Sequence, residues 1–164
     1  YGIGLSASWK NWNFSMLLQG TGKCDFFVGG SGPHAFHDGR TGNILQVMVD
    51  GNRWIPKEIS GTEATENPNA DWPRLTYGNN MNNRASTFWL KDRKYLRLRN
   101  VELSYDFPQV WTRKFLVSNL RLGFIGQNLF TWAPFDWWDP EGTNESGSSY
   151  PINKTFSCYL QFSF

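Results

Sequence analysis

His34 and His37 stand beside Asp38 in a glycine-rich stretch, and imidazole with carboxylate is metal-ligand chemistry. A metal centre needs a third or fourth donor in defined geometry, and none is indicated, so the group reads as a solvated loop. Asp136, Asp139, Glu141 and Glu145 offer carboxylates for calcium but lack the regular spacing of a calcium-binding loop. Trp132, Trp137 and Trp138 could stack on the apolar CH faces of sugar rings, and could equally pack the loop that holds them. Cys24 and Cys158 can form at most one bridge and read as small strand residues rather than a redox pair. Three sequons begin at Asn13, Asn144 and Asn153. No Ser/His/Asp set, paired-carboxylate cleft or phosphate loop emerges. Enzymatic activity has no support, and no cofactor is called for.

The composition limits what can position these residues. A length of 164 residues suits one ordinary domain. Aromatics make up 17% of the chain, which excludes a disordered polymer. No apolar run approaches the roughly 18 residues of a transmembrane helix, which excludes a helical membrane protein. Sixteen Lys and Arg against fourteen Asp and Glu give a net charge of +2 without a basic block, so no nucleic-acid partner is indicated. The chain opens at Tyr1 inside an alternating pattern, with no basic leader, and reads as a fragment of a longer protein.

Alternation dominates. Tyr1, Ile3, Leu5, Ala7 and Trp9 share one face against Gly and Ser, and after Lys10-Asn11 the residues Phe14, Met16 and Leu18 resume it, predicting a hairpin. The pattern disappears over residues 26–84, where turn chemistry prevails and Ile44, Val47 and Met48 predict a turn or two of helix. It returns over residues 86–90 and again over 95–107. There Leu96 and Leu98 are out of phase with Val101, Leu103, Tyr105 and Phe107, predicting a bulge near Arg99-Asn100. Leu120, Leu122 and Phe124 form a further strand, a second long loop covers residues 131–153, and the chain ends on an alternating segment. Five strands thus alternate short and long connections, as transmembrane β-barrels do. Trp9, Trp12, Tyr105 and Phe107, near the short-turn ends, suit an interfacial aromatic girdle. A soluble β-sandwich that binds carbohydrate through its tryptophans, and a plain diffusion porin, fit the same alternation.

Several stretches carry a more specific signal. They are Asn67-Pro-Asn-Ala-Asp-Trp-Pro-Arg-Leu75, Ser86-Thr-Phe-Trp-Leu90, Tyr95-Leu-Arg-Leu-Arg-Asn-Val-Glu-Leu103, Gly126-Gln-Asn-Leu-Phe-Thr-Trp132, Asp139-Pro-Glu141 and the ending from Tyr150 to Phe164. In this order they resemble the C-terminal end of a SusC/RagA-type TonB-dependent outer-membrane receptor of the Bacteroidetes. The resemblance implies an all-β, antiparallel transmembrane barrel of about 22 strands, plugged, with long extracellular loops. Residues 1–164 would be its last five strands, without the plug and TonB box. It implies a bacterial outer-membrane location and import of glycan or peptide cargo. The implied partners are membrane lipid, a SusD-like surface lipoprotein and the TonB complex, the last reached through the missing N-terminal region. Phe156, Leu160, Phe162 and Phe164 resemble the terminal signal read by the barrel-insertion machinery, and Trp132, Trp137 and Trp138 are candidate ligand contacts in an extracellular loop. The chain departs from the family where residues 57–66 separate Trp54-Ile-Pro56 from Asn67, and where Tyr159-Leu160-Gln161 replaces a common Gly-Leu-Asn triplet.

Overall fold

The computed structural model describes residues 1–37, 42–50, 53–57, 69–78, 80–142 and 144–164. Asp38, Asn67, Pro68 and residues 58–66 of the insertion therefore lie outside the described residues. The chain divides into two units. One comprises Tyr1–Cys24, Asp92–Pro140 and Pro151–Phe164; the other comprises Asp25–Lys91 and Glu141–Tyr150.

The first unit is an antiparallel five-stranded sheet in the order β1 (Gly2–Trp9), β2 (Trp12–Thr21), β5 (Tyr95–Asp106), β6 (Asn119–Trp132) and β7 (Thr155–Ser163). Strand polarity follows from the connections: Lys10-Asn11 joins β1 to β2 in two residues, with Lys10 at φ 54°, the left-handed backbone that tight hairpins demand. Asn11 is tied to β5 in both directions, since its side-chain amide donates to the Asp106 carbonyl at 2.7 Å and its own carbonyl accepts from the Asp106 amide at 2.8 Å. The expected bulge is present. Leu17 opposes Asn100 and Leu18 opposes Leu98, leaving Arg99 as the extra residue of β5. That extra residue brings Leu96 and Leu98 into phase with Val101 and Leu103. On the other side β6 also shifts register, with Asn128 at φ 54° and its side-chain oxygen 3.3 Å from an Arg99 Nη1 donor. β6 reaches Trp132, so the second long loop starts two residues later than the pattern suggested. A short helix, α2 (Gln109–Thr112), and a 3-10 turn, Arg113–Phe115, connect β5 to β6.

The second unit holds β3 (Asp25–Phe27), paired with β4 (Leu90–Asp92), and the helical turn α1 (Gln46–Val49) at the position Val47 and Met48 predict. Val28, Met48, Trp72 and Trp89 form its core. Residues 86–89 form a turn rather than a strand, and of the expected segment only Leu90 is in one, at the start of β4. The amides of Trp89 and Leu90 both donate to the Ser86 carbonyl, closing a turn that delivers the Trp89 ring inward. Arg53 and Trp72 form a bridge, so the Trp54-Ile-Pro56 element lies beside Trp72 despite the insertion between them.

Candidate functional site

Residues paired directly across an antiparallel ladder point to the same side, so register sorts the first unit into two faces. One face carries Ile3 and Leu5 of β1 opposite Leu18 and Met16, Phe14 opposite Leu103, Phe124 opposite Cys158, and Leu122 opposite Leu160. It is apolar on all five strands, and its members are open: Ile3 is 54% exposed, Phe124 55% and Phe156 77%. At the short-turn end Trp9 opposes Trp12 and Trp12 opposes Tyr105, with Trp12 and Tyr105 ring centroids 4.7 Å apart and Tyr105 and Phe107 5.1 Å apart. The four aromatics singled out in the sequence form one row. The Lys10 ammonium lies 4.7 Å from the Trp9 ring centroid, placing a cation beside it.

The opposite face is polar and internally bonded. Arg121 donates to both oxygens of Asp106, at 2.6 and 3.0 Å, and Asn13 donates to Asp106 Oδ2 at 2.9 Å. The Tyr159 hydroxyl of β7 donates to Glu102 of β5 at 2.6 Å, crossing the intervening strand. It can cross because its ladder partner is Gly123, where any Cβ would collide with the phenol ring. Gly126 and Gly123 on β6 thus have different neighbours: a Cβ at Gly126 would meet Leu129 instead.

At the long-connection end Arg97, 1% exposed, donates from Nη2 to Asp139 Oδ1 at 2.6 Å. This ion pair fixes the segment that follows β6 to β5. Phe135 is the buried centre of that segment, with Trp138 at 4.8 Å and Trp137 at 5.7 Å between ring centroids. The structure separates the three candidate tryptophans. Trp137 and Trp138 cluster about Phe135, whereas Trp132 belongs to β6, opposes Leu96 on the apolar face and stacks with Phe130. Asp139, one of the carboxylates considered for calcium, is the partner of Arg97.

In the second unit the His34 ring packs edge-on against Trp89 at 4.7 Å, and His37 is 6.0 Å away. Burial holds the His34 pKa below its ordinary value, the neighbouring His37 lowers it further, and a hydrogen bond to the Val28 backbone opposes both. No group of three metal-ligating side chains occurs among the described residues. Cys24 and Cys158 are both free thiols.

No family model matches the chain. It is 27% identical to TonB-dependent receptor P26 of Formosa agariphila over 176 residues, which span 100% of this chain and 17% of that protein. TonB-dependent receptor P3 of the same organism is 28% identical over 69% of this chain and 11% of its own length. Among solved structures, the RagAB peptide importer in its closed-closed state superposes with a TM-score of 0.70 at 21% identity, covering 99% of this chain and 17% of that one. Its open-open state gives 0.69 over the same coverage. In sequence the chain is similar to TonB-dependent receptors, and in fold to the barrel of the RagAB importer. It spans 17% of the first curated relative, and its sheet is accordingly an open piece of barrel.

Phe156, Leu160 and Phe162 lie on the apolar face of β7 and are 77%, 58% and 54% exposed. Phe164 follows the strand and packs edge-on against Phe162 at 5.5 Å. The relatives are receptors and an importer rather than enzymes, in keeping with a sequence that offers no catalytic set. Sequence reasoning did not bring Arg97 and Asp139 together. They are 42 residues apart, and Arg97 alternates with Leu96 and Leu98 like any polar strand residue, which leaves no signal of the pairing.

Proposed function

We propose that the protein is an outer-membrane, TonB-dependent nutrient importer, and that these residues are the C-terminal strands of its barrel. The observation that carries this reading is the apolar face shared by all five strands, open along its length and backed by a polar face. In hydrocarbon every backbone polar group must be satisfied within a closed ladder, and side chains must alternate between lipid and lumen. A soluble sandwich would bury its apolar face under a second layer. Closure then needs further strands beyond β1 and β7, to about 22 in plugged transporters of this kind.

In this reading Phe156, Leu160, Phe162 and Phe164 present the terminal assembly signal, and Trp132 with Phe130 belongs to the outer aromatic girdle. Trp137, 38% exposed beside Phe135, remains as a cargo contact. Gln19, Glu102 and Gln127 face the lumen or plug, a SusD-like lipoprotein closes the mouth, and the TonB complex supplies energy through an N-terminal plug region. Cargo is a peptide, as for the RagAB importer, with glycan as the competing class.

Fractionation of cells expressing the whole receptor tests the location: recovery with the outer membrane, soluble only in detergent, is expected. Recovery in the aqueous fraction would contradict it. Growth of a deletion strain on oligopeptides or on oligosaccharides as sole nutrient then separates the cargo classes, and unimpaired growth on both opposes import.

A further inference from the structure

The connection between β5 and β6 carries more apolar surface than a solvated turn needs. Val110, Trp111 and Leu116 are 75%, 60% and 86% exposed, on a stretch whose charged residues are Arg113 and Lys114. Beside them lie two adjoining grooves. One, of about 320 Å³, is lined by Phe107, Trp111, Thr112, Val117 and Leu120. The other, of about 360 Å³, is lined by Gln109, Arg113, Leu116, Val117 and Ser118. Val117 is common to both, so an apolar slot adjoins a mixed one that carries the Arg113 side chain. Leu120 opposes Phe162 on the apolar face of the sheet, so the slot opens where that face ends.

We propose that this connection is a binding site for one anionic glycerophospholipid of the inner leaflet. An acyl chain occupies the slot beneath Trp111, and the phosphate meets Arg113, with Lys114 next to it in the chain adding to the local positive charge. Three features select this occupant. The residues from Pro108 to Ser118 carry two cations and no carboxylate, complementary to a phosphate. The slot is continuous with the surface assigned to hydrocarbon, whereas a peptide would leave backbone groups unsatisfied there. Tryptophan and basic side chains together are what a membrane–water boundary favours. The inference rests on the lipid-facing reading of the sheet and adds a discrete site to it.

The test is native mass spectrometry of the whole detergent-purified receptor, titrated with dioleoyl phosphatidylglycerol. The wild type is expected to take up one tight adduct before weaker ones. Replacing both cations, Arg113→Gln with Lys114→Gln, is expected to weaken that adduct about twenty-fivefold, each cation contributing about fivefold. Val117→Phe, which fills the junction of the grooves, is expected to abolish it; Trp111→Ser, at an exposed position, provides a second variant should the first not fold. Inorganic phosphate at equal concentration is expected not to compete. Adducts without a tight first member, wild-type affinity in the variants, or displacement by phosphate alone would each overturn the proposal. A membrane-embedded receptor with no tight adduct sinks only this site, whereas a water-soluble receptor sinks the reading beneath it.

Discussion

Gly123 shows how a missing side chain can organise a sheet. The Tyr159 ring lies across it to reach Glu102, so two strands that are not neighbours share a hydrogen bond. Gly123→Ala is expected to dislodge the ring and lower receptor stability by about 1–3 kcal/mol, and Tyr159→Phe by about 1 kcal/mol, read from urea unfolding in detergent. Wild-type midpoints for both would remove the role assigned to the contact. Arg97 is a second case: its charge sits 1% exposed against Asp139. Removing one partner leaves the other buried, and Asp139→Ala is expected to cost about 3–5 kcal/mol and to open residues 133–140 to protease. His34 gives a pH dependence. Its folded pKa is depressed, chiefly by burial, so the folded state favours the neutral ring. That contribution is whole above the ordinary value of 6.5 and is lost as pH falls from there through the folded pKa. Protease resistance of residues 25–37 should therefore weaken between pH 7.5 and 5, and His34→Gln should flatten the change. An unaltered pH response in that variant would assign the effect elsewhere.

At the level of strands, alternation makes a quantitative claim about the two faces. Phe124→Arg, on the apolar face, is expected to cost about 2–4 kcal/mol near the bilayer midplane, whereas Gln127→Arg, on the polar face, should be tolerated. Heat-modifiable migration of the folded barrel reads the difference, and equal tolerance would count against it. Much of this arrangement was legible in the residues themselves. Period-two patterning identified the strands of the sheet, and the phase slip between Leu98 and Val101 located the bulge, because one extra residue reverses every later side chain. Residues 86–89 form a turn for a physical reason. Five residues of alternation also suit a turn when one large ring must be buried, and Trp89 is 2% exposed. The terminal positions Phe156 to Phe164 were readable because they follow the strand period. The Arg97–Asp139 pair was not, since no spacing encodes a contact over 42 residues. Trp132 was grouped with Trp137 and Trp138 by proximity in the chain, but β6 carries it to the apolar face.

For the molecule as a whole, the sheet's edges and its apolar face are the governing facts. β1 and β7 each have one paired side, and an unclosed barrel edge with an oily surface invites aggregation in water. The 164-residue chain alone is accordingly expected to give no cooperative thermal melt without detergent; a sharp reversible melt of the monomer would contradict that. The central claim is that one side of this sheet meets lipid and the other does not. Cys158, opposite Phe124, is a native probe of the first side, and Ser157, opposite Ile125, marks the second. Spin labels are placed singly in the whole bilayer-embedded receptor, on Cys158 with every other thiol replaced and on Ser157→Cys with all native thiols replaced. Collision with dissolved oxygen is expected to dominate at 158 and with a polar nickel chelate at 157. Equal exposure of the two labels to the chelate would contradict the account.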